Sequence, residues 1–169
     1  MTDFDQRLAV IMPAWKELKT EEKEEILYFP VLWSIFELRA TGRNGQQPNA
    51  NPRAICKAVA DLPAPLVLND ELLDARKYFA GWYFDNGTET TAWTALRVDS
   101  AFKARVKCGL SAKEVDDRKI LTALLLVVNR LRNNLLHGTK ARYGFIGQYK
   151  NFHHASKVLN GAIMFWPPP

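Results

Sequence analysis

One short stretch of the chain holds the side-chain types that phosphodiester chemistry asks for: Asn129-Arg130-Leu131-Arg132-Asn133-Asn134-Leu135-Leu136-His137-Gly138. A histidine titrates near neutrality, so His137 can take or give a proton at physiological pH. Arginine offers a planar fork matched to phosphate oxygens, which Arg132 would supply. Cleavage of RNA without a metal needs such a pair. One group removes the proton of a 2′-hydroxyl, and a cation steadies the charge building on the phosphate. Successive helical residues are about 100° apart, so Asn133 and His137, four apart, share a face. Arg132 stands one step off that face, and its long stem lets the two converge. Asn133 can orient the imidazole or hold a phosphate oxygen. The competing reading is structural: a histidine in a last helical turn favours the helix dipole, and arginines on a helix are commonly surface charges.

A long helix must carry this stretch. Ser111-Ala112-Lys113-Glu114 matches a capping box and predicts its start. Val115, Ile120, Leu124, Val127, Leu131 and Leu135 recur at helical spacing, with Leu121, Leu125 and Val128 beside them. So broad a stripe predicts a helix central to a bundle, closed by Gly138 as a C-cap. A last helix is expected over about 147–165. Before the central helix the signals are again helical. An amphipathic stretch over 3–18 should kink or end at Pro13. Thr20 reads as the N-cap of a segment over 21–40, within which Pro30 starts or kinks a helix. Residues 41–52 hold nothing apolar larger than alanine and read as a connecting loop. Helices are expected at about 53–61 and 69–84, the second capped by Asn69, followed by a turn at Asp85-Asn86-Gly87 and a helical region over 88–107 that ends at Gly109. The fold class is all-α, in a single domain.

Composition narrows the function classes. The chain has 169 residues, 47% hydrophobic and 24% charged, which suits a globular core. Its net charge is +5. From Gly138 onward Lys140, Arg142, Lys150 and Lys157 occur with no acidic residue, whereas Glu21, Glu22, Glu24 and Glu25 gather near the start. A one-sided basic end can meet phosphates, or be a solvated surface. Arg130, Lys140, Arg142 and Tyr143 are therefore candidate RNA contacts, Tyr143 by stacking on a base. His153 and His154, in the last helix, read as surface residues. Cys56 and Cys108 have no metal-ligand spacing, and no glycine-rich phosphate loop is present, so neither metal nor organic cofactor is expected. The first residues do not read as a secretory signal. The longest apolar run, 121–128, is too short to span a bilayer. The chain reads as soluble and cytoplasmic, with no membrane partner. A DNA-binding regulator would need a basic recognition helix, and none is present.

Arg132, Asn133 and His137 also resemble the signature of the HEPN superfamily, Arg-x-x-x-x-His with a polar residue directly after the arginine. The longer form Arg-Asn-Asn-Leu-Leu-His-Gly resembles the Apea-like HEPN branch. Upstream, Phe29-Pro30-Val31-Leu32-Trp33-Ser34-Ile35-Phe36-Glu37 resembles the early HEPN helix, in which an acidic residue can face the motif. Glu37 is that candidate, to pair with Arg132 or an adjoining group; its other reading is a structural salt bridge. The likeness covers 21–40 and 111–166, with 41–109 as extra helices inserted in the middle. It implies an HEPN-like helical bundle that forms a homodimer with the two motifs facing each other at the interface. It implies a metal-independent endoribonuclease that leaves a 2′,3′-cyclic phosphate, with catalytic Arg132, His137 and Asn133, and RNA as substrate. The setting implied is toxin–antitoxin or phage defence, with a cognate antitoxin or inhibitor as a further partner. Some HEPN domains only dimerise and bind RNA or a protein partner, which is the alternative reading.

Overall fold

The computed structural model describes residues 3–42, 47–136 and 145–168. His137, Gly138, Lys140, Arg142 and Tyr143 lie outside the described residues. The helical expectation holds: among the described residues there are eight α-helices and one two-stranded hairpin.

Helix α1, Asp3–Ile11, opens with Asp3 and Asp5 in its first turn, where acids favour the dipole. Met12, forced to extended geometry by the following proline, ends it. A 3₁₀ turn over Pro13–Glu17 then buries Trp15, whose Nε1 donates to Asp5 at 3.0 Å. Helix α2 runs over Thr20–Thr41 straight through Pro30. Its cap differs from expectation: Thr20 is already helical, and the Lys19 amide donates to the Glu22 carboxylate at 2.9 Å. Ile26, Phe29, Leu32, Trp33, Phe36 and Ala40 form the buried face of α2.

The connector after α2 is shorter than expected and is tied down. Ala50 is buried, and its amide donates to Glu37 Oε1 at 2.9 Å. Asn51 caps α3, Pro52–Ala60, through the amides of Arg53 and Ala54. Asn69 caps α4, Asp70–Tyr83, as expected, accepting from Leu72 at 3.0 Å. The Asp85-Asn86-Gly87 turn joins β1, Phe84–Asp85, to β2, Thr88–Glu89. Asn86 and Gly87 both have positive φ, 48° and 83°, the pairing a tight hairpin turn demands.

The region expected as one helix over 88–107 is two, α5 at Thr91–Leu96 and α6 at Ser100–Ser111, parted by Arg97 in left-handed geometry. Gly109 is therefore not a helix end. It lies inside α6 where α6 crosses α7, and a Cβ there would stand 2.4 Å from that of Ala123. Ser111 likewise is no cap: its hydroxyl donates to the Lys107 carbonyl in the last turn of α6. The cap of α7, Asp117–Leu136, is Asp116, which accepts from the Lys119 amide at 2.8 Å.

Helix α7 is the axis of the bundle. Every residue from Ile120 to Asn129 is buried. Helix α8, Tyr149–Ile163, lies between α2 and α4, with the Phe152 ring tilted against that of Phe29 at 5.4 Å. The buried cluster draws on residues from Ala9 to Trp166, so both ends of the chain share one core. Among the described residues no helix is long and apolar enough to cross a membrane.

Candidate functional site

The last two turns of α7 meet α2 and the connector at residue 50. Asn129, which α7 buries, donates from Nδ2 to the Ala50 carbonyl at 3.0 Å. Its Oδ1 accepts from Asn133 Nδ2 at 3.5 Å, a long contact between residues one helical turn apart. Asn133 Oδ1 in turn accepts from Arg132 Nη1 at 3.1 Å. With the Ala50 amide on Glu37, these contacts run unbroken from α2 to the Arg132 head. Glu37 thus reaches the motif through the backbone of one residue, Ala50, and through Asn129. Among the described residues no ion pair joins it to Arg132, so the direct form of that expected pairing is replaced by this indirect one.

Arg132 is half-buried. Its guanidinium carbon lies 5.6 Å from the Trp33 ring centroid, a cation–π contact that fixes one face of the fork. Its Nε is buried and has no hydrogen-bond partner among the described residues. No carboxylate among the described residues neutralises it. An uncancelled cation, flattened on an indole and steadied by a neutral amide, can accept an anion on its open side at little cost in ordering.

Other arginines in the molecule are used differently. Arg118 donates to the carbonyls of Val59, Ala60 and Leu62, closing the C-terminal end of α3. Arg76 donates to Gly109 and Ala112 at the end of α6. Arg130, a candidate RNA contact, donates from Nε to Leu96 at the end of α5, 3.3 Å away. These three hold orphan helix carbonyls. Arg132 does not.

No protein-family model, curated protein or solved structure matches the chain.

The arrangement therefore speaks through its own chemistry. The structure brings Arg132, Asn133 and Glu37 into one connected group and turns Arg130 to the far end of α5. His137 follows Leu136, the last described residue of α7, and it, Lys140, Arg142 and Tyr143 are placed by sequence alone. Asn129 and Trp33 were not singled out from the sequence as site residues. Asn129 stands four before Asn133, which is the signal that would have found it.

A second polar region was also missed. His153 and His154 occupy opposite flanks of α8. His153 Nδ1 lies 3.1 Å from Glu25 Oε2, beside Tyr149. His154 stacks on Tyr78 and stands 3.7 Å from Asp74. Burial pushes the His154 pKa down, against the pull of Asp74. The Lys157 ammonium, hydrogen-bonded to Asp74, holds that carboxyl below its usual range, and burial pushes the Tyr78 phenol up to about 12. The two histidines line separate hollows, neither of which includes Arg132 among the described residues: one faces Glu21 and Tyr28, the other Lys77 and Trp82.

Proposed function

We propose that the chain is an HEPN-type endoribonuclease that cleaves RNA without a metal, and that Arg132 holds the scissile phosphate. The observation that carries this reading is the unneutralised, half-buried Arg132 head, oriented by Trp33 and Asn133 where other arginines of the fold are spent on helix ends. In this reading the 2′-hydroxyl oxygen attacks phosphorus and its proton passes to His137. The bond to the 5′ oxygen breaks as that oxygen takes a proton from solvent water, leaving a 2′,3′-cyclic phosphate and a 5′-hydroxyl, and His137 then returns its proton to solvent. Arg132 stabilises the charge on the non-bridging oxygens, and Asn133 keeps the fork in place. Asn129 and Glu37 act through Asn133 and Ala50 as positioning residues. Two copies would place their motifs face to face, and a toxin–antitoxin or phage-defence role, with a cognate inhibitor, is the setting this chemistry suits.

The test is incubation of the protein with mixed cellular RNA in excess chelator, beside folded His137→Ala and Arg132→Ala variants. Cleavage by the parent alone, with cyclic-phosphate ends, supports the reading. Equal cleavage by all three proteins, or none by the parent, overturns it.

A second reading, a non-catalytic module that dimerises, has one observation in its favour. Helix α2 turns Leu27, Tyr28, Val31, Ile35 and Leu38 outward, on the side away from its buried face. The stripe extends about 17 Å along the helix. It is nearly symmetric about residue 33, so an antiparallel copy would set Val31 of one chain opposite Ile35 of the other. The same pairing brings the acidic first turn, Glu21 and Glu22, toward the end bearing Arg39. Such a dimer holds Trp33 and Arg132 on the far side of each α2, so the two motifs would not share a cleft. A dimer that Val31→Glu and Ile35→Glu convert to monomer, with no RNA cleavage, would favour this reading over the first.

A further inference from the structure

Helices α4 and α8 meet at a short column of parallel rings. Tyr78 and Trp82, one turn apart on α4, have centroids 6.2 Å apart and planes within 11°. The His154 imidazole lies 4.0 Å from the Tyr78 ring, within 10° of parallel. The column is anchored at one end and open at the other. Tyr78 donates its hydroxyl proton to Asn151 at 2.9 Å, whereas Trp82 is 43% exposed. Beside it Gly81 keeps the surface clear, since a Cβ there would touch nothing within 4 Å. The hollow has a volume of about 430 Å³ and is lined by Asp74, Lys77, Tyr78, Gly81, Trp82 and His154.

Its charge is lopsided. Lys77 and Lys157 act on Asp74, and Lys150 and Lys157 act on His154. The lining holds one lysine, Lys77, and one carboxylate, Asp74, and Asp74 Oδ2 takes the Lys157 ammonium at 2.8 Å, so Lys77 is the cation left over. A flat, exposed indole with the Lys77 ammonium at its rim suits a ligand that is planar and anionic together. An apolar peptide would leave Lys77 desolvated, and a simple anion would not use the rings.

We propose that this hollow is a nucleotide-binding site, taking a base against Trp82 and its phosphate on Lys77 at the rim. The base stacks on the open indole face, which is tolerant of base identity because every base presents a π-face. Tyr78 and His154 back the indole and keep α4 and α8 in register beneath it. Asp74 offers an acceptor to an N–H edge of the base. Lys77 meets phosphate, with Lys150 and Lys157 adding field. The site is separate from Arg132 and does not depend on cleavage there. A free nucleotide and one nucleotide of a single strand carry the same chemistry.

The experiment measures binding by fluorescence anisotropy, using a labelled single-stranded RNA ten-mer with 2′-O-methyl ribose, which cannot be cleaved through its 2′ position, and in a second arm labelled adenosine monophosphate. The proteins are the parent, Trp82→Ala, Trp82→Phe and Lys77→Ala, each confirmed as folded by circular dichroism. For whichever probe binds, Trp82→Ala should weaken it about tenfold while Trp82→Phe keeps most of the affinity. Lys77→Ala should flatten the salt dependence. Binding of the ten-mer alone assigns the site to a strand; binding of both with the same Trp82 dependence assigns it to the nucleotide unit. If neither probe binds the parent, or if Trp82→Ala binds as the parent does, the proposal is wrong.

Discussion

Arg118 and Arg132 stand at opposite ends of α7 and are put to opposite uses. Arg118 spends its fork on carbonyls that α3 leaves without partners, at 3.0 Å to both Ala60 and Leu62. It is a clamp between two helices, satisfied by the fold. Among the described residues Arg132 meets a ring and one neutral amide, and its buried Nε has no hydrogen-bond partner. The described fold satisfies the first arginine and sets no counter-charge against the second.

That contrast can be broken in order of expected size. Arg118→Ala should cost the most stability, about 3 kcal/mol, because it strands several helix-end carbonyls at once; denaturant unfolding measures it. Arg118→Lys should recover little, since one ammonium cannot span the same carbonyls. A loss under half a kcal/mol would remove the clamp from the comparison. Gly109→Ala tests the α6–α7 crossing that positions the helix between the two arginines. The added methyl would lie 2.4 Å from the Ala123 Cβ and 2.5 Å from the Lys119 carbonyl oxygen, so α6 must shift. The expected cost is about 2 kcal/mol in the same unfolding experiment.

Arg132→Ala should be milder for the fold, about 1 kcal/mol or less, since it forfeits mainly the contact with Trp33. Its RNA cleavage should disappear.

The smallest effect sharpens the contrast from the other side of the molecule. Burial lowers the His154 pKa below its ordinary 6.5, so the folded chain resists protonating it. The contribution is fully present above the unfolded value, and it is lost as pH falls through the folded one. Unfolding free energy should therefore decline as pH drops below about 6.5. His154→Gln should flatten that slope. An unchanged slope would mean that His154 is not held neutral by its surroundings. Asp74, whose pKa is lowered by Lys157, acts in a lower window: its contribution is lost only as pH falls past its ordinary 3.8.

The sequence was legible where one element decides the outcome alone. The apolar breadth of 120–131 announced a central helix, and all but one of those residues, Arg130, are buried. Asn69 before Asp70 and Glu71 announced a cap because capping is settled within four residues. The same local logic failed at Ser111-Ala112-Lys113-Glu114. The pattern is right for a cap, but α6 extends through Ser111 to pack Gly109 against α7, and Asp116 takes over. Pro30 failed to interrupt α2 because that helix packs along α3 and α8, and tertiary contact outweighs a missing backbone bond.

For the site, the spacing of Arg132, Asn133 and His137 was plain, and Glu37 was named as a partner of Arg132 or an adjoining group. Its partner was not foreseeable, since the Ala50 amide arrives through a connector that carries no pattern of its own. The pairing of His153 with Glu25 and of His154 with Asp74 was equally hidden. Both depend on where α8 settles between α2 and α4, which no single stretch of sequence states.

The central claim is that the Arg132 charge serves a substrate and not the fold. The most direct measurement is RNA cleavage by Arg132→Gln beside the parent, with unfolding free energy taken on the same preparations. Unfolding is expected within about 1 kcal/mol of the parent, and cleavage slower by about a hundredfold or more. Cleavage at the parental rate by a fully folded Arg132→Gln protein would contradict it.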